Sequence, residues 1–268
     1  MIISHQNKYI FIQIPHTAST AIGDELCINY DGKRILDKHC LYFEFEKVAK
    51  EEEKEYFVFA CVRNPLDDVV SRYYKYTSNH MKTFTTPRYW QKNGGDGWVT
   101  NKQLKQYQWI TENNATFEDF FLKYYHIPYD SWISIQAKKY DYIMRFETIE
   151  QDFSEVLKLL NLSQKRPLPF RNKTSLKERN IFSYFTPKTQ QRALSVFGPF
   201  MQKWGYSFPE EWSNKTVPWL SQTQFELLGI IRKLHRKYIR KTRGGGLPLI
   251  YNPNLSRETI WSNQEIKQ

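Results

Sequence analysis

Short unbroken apolar runs alternate along this chain with stretches whose apolar positions recur every three or four residues. Residues 9–14 (YIFIQI) and 56–62 (YFVFACV) are β-rich runs, and each stops at a loop containing a proline. Both read as buried strands. A third run, residues 140–145 (YDYIMR), reads as another strand. Behind each strand the period changes. A helix is expected from Thr20 onward (AIGDEL), with Ser19 or Thr20 as its cap. A second is expected over residues 66–77, where Leu66, Val69, Val70 and Tyr73 share a face. A third is expected over residues 147–160, where Ile149, Phe153, Val156, Leu157 and Leu160 recur at helical spacing. Strand, tight loop and helix in repeated order predict an α/β protein with a central parallel sheet flanked by helices.

Further helices are marked by their starts. Thr116-x-x-Asp119 is a capping-box pattern, Thr186-Pro187 places a cap before a first-turn proline, and Ser221-x-x-Gln224 opens a last helix. Residues 80–102, polar and containing Gly94, Gly95 and Gly97, read as a long surface loop. The last helix is expected to carry Leu227, Ile231, Leu234 and Tyr238 on one face and to end at Gly244–Gly246. No internal repeat is visible.

Composition narrows the class. The 268 residues suit one sizeable domain, or one domain with a small addition. The formal charge of +11 favours an anionic partner without choosing among nucleotides, acidic glycans, nucleic acids and membrane headgroups. Three cysteines without a CxxC pair argue against a disulfide framework or a cysteine zinc site, and no ligand cluster has metal spacing. No apolar run is long enough for a membrane span, and residues 1–11 lack a signal-peptide core. The chain therefore reads as cytoplasmic.

Two strand–loop–helix junctions are candidate anion sites. In the first, IFIQIPHTASTAIGDEL, small hydroxyl residues sit where a helix exposes its first N–H groups, a natural cradle for phosphate or sulfate. A plain Ser or Thr cap would explain Ser19 and Thr20 equally well. No GxxxxGK[ST] pattern is present, which argues against a nucleotide kinase. In the second, VFACVRNPLDDVVSRYYKY, Arg63 ends a strand and Ser71 lies about two helical turns later. An arginine there faces the crevice where α/β sheets bind ligands and can grip a phosphate. Pairing of Arg63 with Asp67 or Asp68 is the competing reading.

Taken together, PHTAST and, about forty residues on, VRNPLDDVVSRYY resemble the two donor-binding motifs of sulfotransferases that use 3′-phosphoadenosine-5′-phosphosulfate (PAPS), especially glycan-type and bacterial members and the heparan 2-O-sulfotransferase pattern. The resemblance extends over roughly residues 8–208, through YDYIMRFETIEQDF and YFTPKTQQRALSVFGPFMQKWGYSF. It implies a P-loop-like sulfotransferase fold and assigns Thr17, Ala18, Ser19 and Thr20 to the 5′-phosphosulfate. Arg63 and Ser71 go to the 3′-phosphate, and Asn172, Lys173 and Thr174 to a loop capping the nucleotide. Where the family pattern has Lys, this chain has His16, which would contact the transferring group as a weaker, pH-dependent donor. His39, in KHCLYFEF, resembles the catalytic base of an H-x-x-Y-x-x-F pattern and would also meet the acceptor, as would Gln136. Arg145 and Glu147 also match family positions and read as structural.

The expected function is transfer of a sulfuryl group from PAPS, releasing PAP, to a hydroxyl or less readily an amine of a small metabolite or carbohydrate acceptor, itself possibly anionic. No metal and no nucleic acid are required. A degenerate module that binds PAP or a polyanion without turnover is the alternative that His16 raises. A sulfotransferase domain is expected over residues 1–210, with a basic helical extension over 211–268. That extension carries Arg232, Lys233, Arg236, Lys237, Arg240, Lys241 and Arg243 with no acidic residue between Gly229 and Arg243. This pattern fits a solvated face, an acidic acceptor or a peripheral membrane contact.

Overall fold

The computed structural model describes residues 1–91, 97–169, 180–212, 216–235 and 238. It is a mixed α/β protein. The chain divides into two compact units. The first comprises residues 1–63, 131–171 and 229–268, and the second residues 64–130 and 172–228.

The first unit is built on a five-stranded sheet of order β3-β1-β2-β4-β5. Its strands are β1 (Ile2–Ser4), β2 (Tyr9–Ile12), β3 (Lys33–Arg34), β4 (Phe57–Val62) and β5 (Tyr142–Arg145). β2, β4 and β5 run parallel, in the register Ile12↔Ala60 and Val62↔Arg145. β1 is antiparallel to both of its neighbours, β2 and β3. The unbroken apolar character of β2 and β4 follows from burial on both faces, the usual state of parallel strands. One face carries Ile2, Tyr9, Phe11, Phe59, Cys61 and Met144. Against it pack Ile22 and Leu26 of α1 (Ser19–Asn29) and Phe153, Val156 and Leu157 of α7 (Ile149–Leu159). The Phe11 and Phe59 rings stack at 5.1 Å between centroids, and each buried phenylalanine contributes about 1.5–3 kcal/mol of burial energy. Two short helices, α2 (Tyr42–Glu46) and α3 (Glu51–Lys54), lead into β4.

β5 is joined to α7 by a carboxylate. Asp152 accepts from the Arg145 backbone N–H (2.5 Å), the Thr148 hydroxyl (3.0 Å) and the Tyr142 phenol (3.3 Å). This explains the RFE-x-x-x-x-D-F spacing: the aspartate fastens the turn and Phe153 fills the core. Replacing Asp152 by alanine leaves the Arg145 N–H without this partner and is expected to cost about 1–3 kcal/mol, read as a lower midpoint in denaturant titration.

The second unit is helical: α4 (Pro65–Thr77), α5 (Asn101–Glu112), α6 (Phe117–Tyr124), α8 (Pro187–Lys203) and most of α9 (Trp219–Leu234). Its core is aromatic, with Phe117, Phe120, Phe121, Phe185, Phe197 and Trp212 buried together. The expected caps are present at Thr116 and Thr186. Among its described residues, the stretch 80–102, expected to be loop, contains 3-10 turns at His80–Lys82 and Pro87–Tyr89 and the start of α5. The Gly244–Gly246 terminator and the basic positions beyond His235 lie outside the described residues.

Candidate active site

The parallel strands deliver the ends of β2, β4 and β5 to one edge of the first unit. After β2 the chain turns sharply, since Ile14 N–H donates back to Ile12 (3.0 Å). Thr17 is buried, and its hydroxyl donates to the Ile14 carbonyl (2.9 Å). It also bonds the thiol of Cys61, whose pKa burial pushes well up, so that this cysteine is an inert packing group. His16 and Ala18 both adopt left-handed backbone conformations, with φ of 67° and 53°. Such residues cost roughly 1–3 kcal/mol each and concentrate where a loop must present its backbone to a ligand.

The cap of α1 is Ala18, and neither Ser19 nor Thr20 fills that position. Ala18 gives the first turn no side-chain bond, and the first turn carries no acidic side chain. The positive end of the helix dipole is therefore offset neither by a cap side chain nor by an acid of its own first turn. Gln13, buried behind the loop, donates to the Ser19 carbonyl at 3.0 Å. Gly23 makes room for it, since a Cβ there would lie 2.8 Å from Gln13 Nε2.

Three further side chains converge on this loop. Arg63, one residue past β4, donates from Nη1 to the His16 carbonyl (3.1 Å), and its guanidinium lies 4.3 Å from the centre of the Phe146 ring. His39 Nδ1 is 2.7 Å from the Gln13 carbonyl oxygen. A carbonyl only accepts, so Nδ1 carries the proton and the basic lone pair is on Nε2. The His39 ring meets Trp132 edge-on at 6.1 Å. Lys38 Nζ donates to the Thr20 hydroxyl at 2.7 Å. Partial burial of this ammonium lowers its pKa, as does Arg34, while Asp24 works in the opposite direction.

The structure thus brings His16, Thr17, Ala18, Ser19, Thr20, His39 and Arg63 together within the first unit. Gln136 lies in the same unit, at the kink of the 3-10 segment Trp132–Lys139, where its Oε1 accepts from the Phe43 N–H (2.8 Å). Ser71 is buried on α4 in the second unit. Of the acids considered as partners for Arg63, Asp68 accepts from Arg72 (2.9 Å). Asn172, Lys173 and Thr174 lie outside the described residues. Lys38 is the functional candidate that the sequence reading missed. Its place in the sequence is next to the histidine already singled out. Among the described residues no group of three His, Cys, Asp or Glu side chains could hold a metal, and no helix is long and apolar enough to cross a membrane.

A model of the sulfotransferase family covers residues 1–198. No curated protein and no solved structure matches the chain.

Proposed function

The chain belongs to the sulfotransferase family, and from that premise we propose that it moves a sulfuryl group from PAPS to a hydroxyl of a small metabolite or carbohydrate. The observation that carries this reading is the meeting of the 13–20 loop, Lys38, His39 and Arg63 at the carboxyl end of the sheet. Open α/β sheets bind their ligands at that end. PAPS supplies the activated sulfuryl group, and the protein supplies position, charge and a base.

Thr17, Ala18, Ser19 and Thr20 would hold the 5′-phosphosulfate against the first turn of α1. The residues fit an anion: two left-handed positions, a cap without a side-chain bond, no acid in the first turn and a lysine on the last loop hydroxyl. Arg63 would take the 3′-phosphate, since its planar fork suits two phosphate oxygens, and Ser71 is assigned to the same group by sequence. Asn172, Lys173 and Thr174 are assigned by sequence to the nucleotide's outer side. Gln136, by holding the Phe43 backbone, steadies the segment beside His39 on the acceptor side.

Group transfer of this kind depends mainly on alignment and charge stabilisation. His39 Nε2 takes the proton of the acceptor hydroxyl as its oxygen attacks, and the Gln13 carbonyl holds the resulting imidazolium through Nδ1–H. Lys38 provides the cation that the His16 position lacks. His16 is exposed and contributes its carbonyl to Arg63.

The test is a transfer assay with PAPS and a panel of hydroxyl acceptors. Lys38→Ala is expected to lower kcat by roughly tenfold to a hundredfold, more than His16→Ala does, with partial recovery in Lys38→Arg. A larger loss from His16→Ala would return the role to the histidine. Tight PAP binding without transfer to any acceptor would support a binding module, the reading that His16 favours.

A further inference from the structure

Helix α9 takes no part in the site described above. One side of it is buried through Ser221 and Phe225, with Lys203 Nζ 5.4 Å from the centre of the Phe225 ring. Its other side is apolar and open. Trp219, Leu220, Leu227, Ile230, Ile231 and Leu234 are each more than half exposed. On a helix advancing about 100° per residue these six fall within an arc of about 120°. A lone exposed leucine needs no explanation, but six large apolar side chains on one arc, interrupted by the exposed Thr223, mark a binding face.

Charge selects the occupant. The exposed Lys233 flanks the last turn of the stripe and the exposed His235 follows it, and the sequence from Gly229 to Arg243 holds seven Lys and Arg and no acid. Glu226, exposed on the stripe's flank and bonded by Gln222 Nε2 (3.1 Å), is the acid facing them within α9. A second copy of the chain carries the same basic sequence and so brings this segment no opposite charge of its own. An anionic bilayer neutralises that segment and accepts the apolar stripe at the same time. Tryptophan at one end of the stripe suits the headgroup level. We propose that α9 docks this protein on an anionic lipid bilayer, lying in the interface plane with its Trp219–Leu234 stripe toward the acyl chains. This docking does not depend on sulfuryl transfer.

The full chain is floated with vesicles of phosphatidylcholine alone or mixed with phosphatidylglycerol. Binding to the mixed vesicles is expected to be at least tenfold tighter, on the order of what one or two charges contribute, and to weaken with added salt. The Leu227→Asp/Ile231→Asp double variant is expected to lose roughly tenfold or more of this binding. Both positions are exposed, so its melting temperature should match the parent. Lys233→Glu tests the charge separately, without touching the stripe. Absence of vesicle binding, equal binding to both lipid mixtures, or undiminished binding by the double variant would overturn the proposal. A vesicle-negative chain that sediments as a dimer, and as a monomer in the double variant, would assign the face to a second copy.

Discussion

Replacing His39 by alanine is expected to lower turnover by about 10²–10⁴-fold, the range over which a positioned general base acts, while PAP binding stays within about twofold. The expectation follows from one contact. Nδ1 is fixed on the Gln13 carbonyl at 2.7 Å, which sets the tautomer and leaves the basic lone pair on Nε2. The Gln13 side chain in turn donates to the Ser19 carbonyl, so the base and the donor loop are registered on one residue, the base on its backbone and the loop on its side chain. His39→Asn, whose amide nitrogen takes the place of Nδ1 and can still donate to the carbonyl but which cannot accept a proton at neutral pH, separates the two roles. It should keep the parent's melting temperature and PAP affinity and still lose turnover. Turnover near the parental level in either variant would remove His39 from the chemistry.

Arg63→Ala is expected to weaken PAP binding by roughly a hundredfold, consistent with the 2–5 kcal/mol that loss of a hydrogen-bonded charge partner costs. Two contacts make Arg63 more than a surface cation. It holds the His16 carbonyl at 3.1 Å, supporting the left-handed turn of the loop, and the Phe146 ring supports its guanidinium at 4.3 Å. Arg63→Lys should recover little of the lost affinity, because an ammonium lacks the planar fork and the stacking face. Calorimetric titration reads both variants. An Arg63→Ala protein that is folded and binds PAP as the parent does would exclude Arg63 from the 3′-phosphate site.

The parts of this fold that were legible in sequence are those where pattern and environment agree. β2 and β4 are buried on both faces, and their apolar runs say so. α4, α6, α7 and α8 announce themselves by caps or by period. β1 and β3 did not, because three and two residues are too few to show any period, and β3 is exposed Lys-Arg. α5 shows little apolar period in sequence, and only its first two residues fall in the stretch 80–102 expected to be loop; Leu104, Gln106 and Ile110 are its buried positions. Its start was nonetheless written in Thr100 and Gln103, whose capping box is formed. In the site, Arg63 and the 16–20 loop were found by motif. The cap at Ala18 was not, since a left-handed alanine leaves no mark in composition. Lys38 was missed because its contact with Thr20 is made by the fold, across the turn of β3, and not by a local pattern.

The most direct test of the donor site is calorimetric titration of the purified chain with PAP, with ATP and adenosine 5′-phosphosulfate as controls. The account predicts saturable PAP binding at least about tenfold tighter than either control, since the 3′-phosphate is the group Arg63 is assigned to grip. Binding of ATP as tight as that of PAP, or no binding of PAP at all, would contradict it.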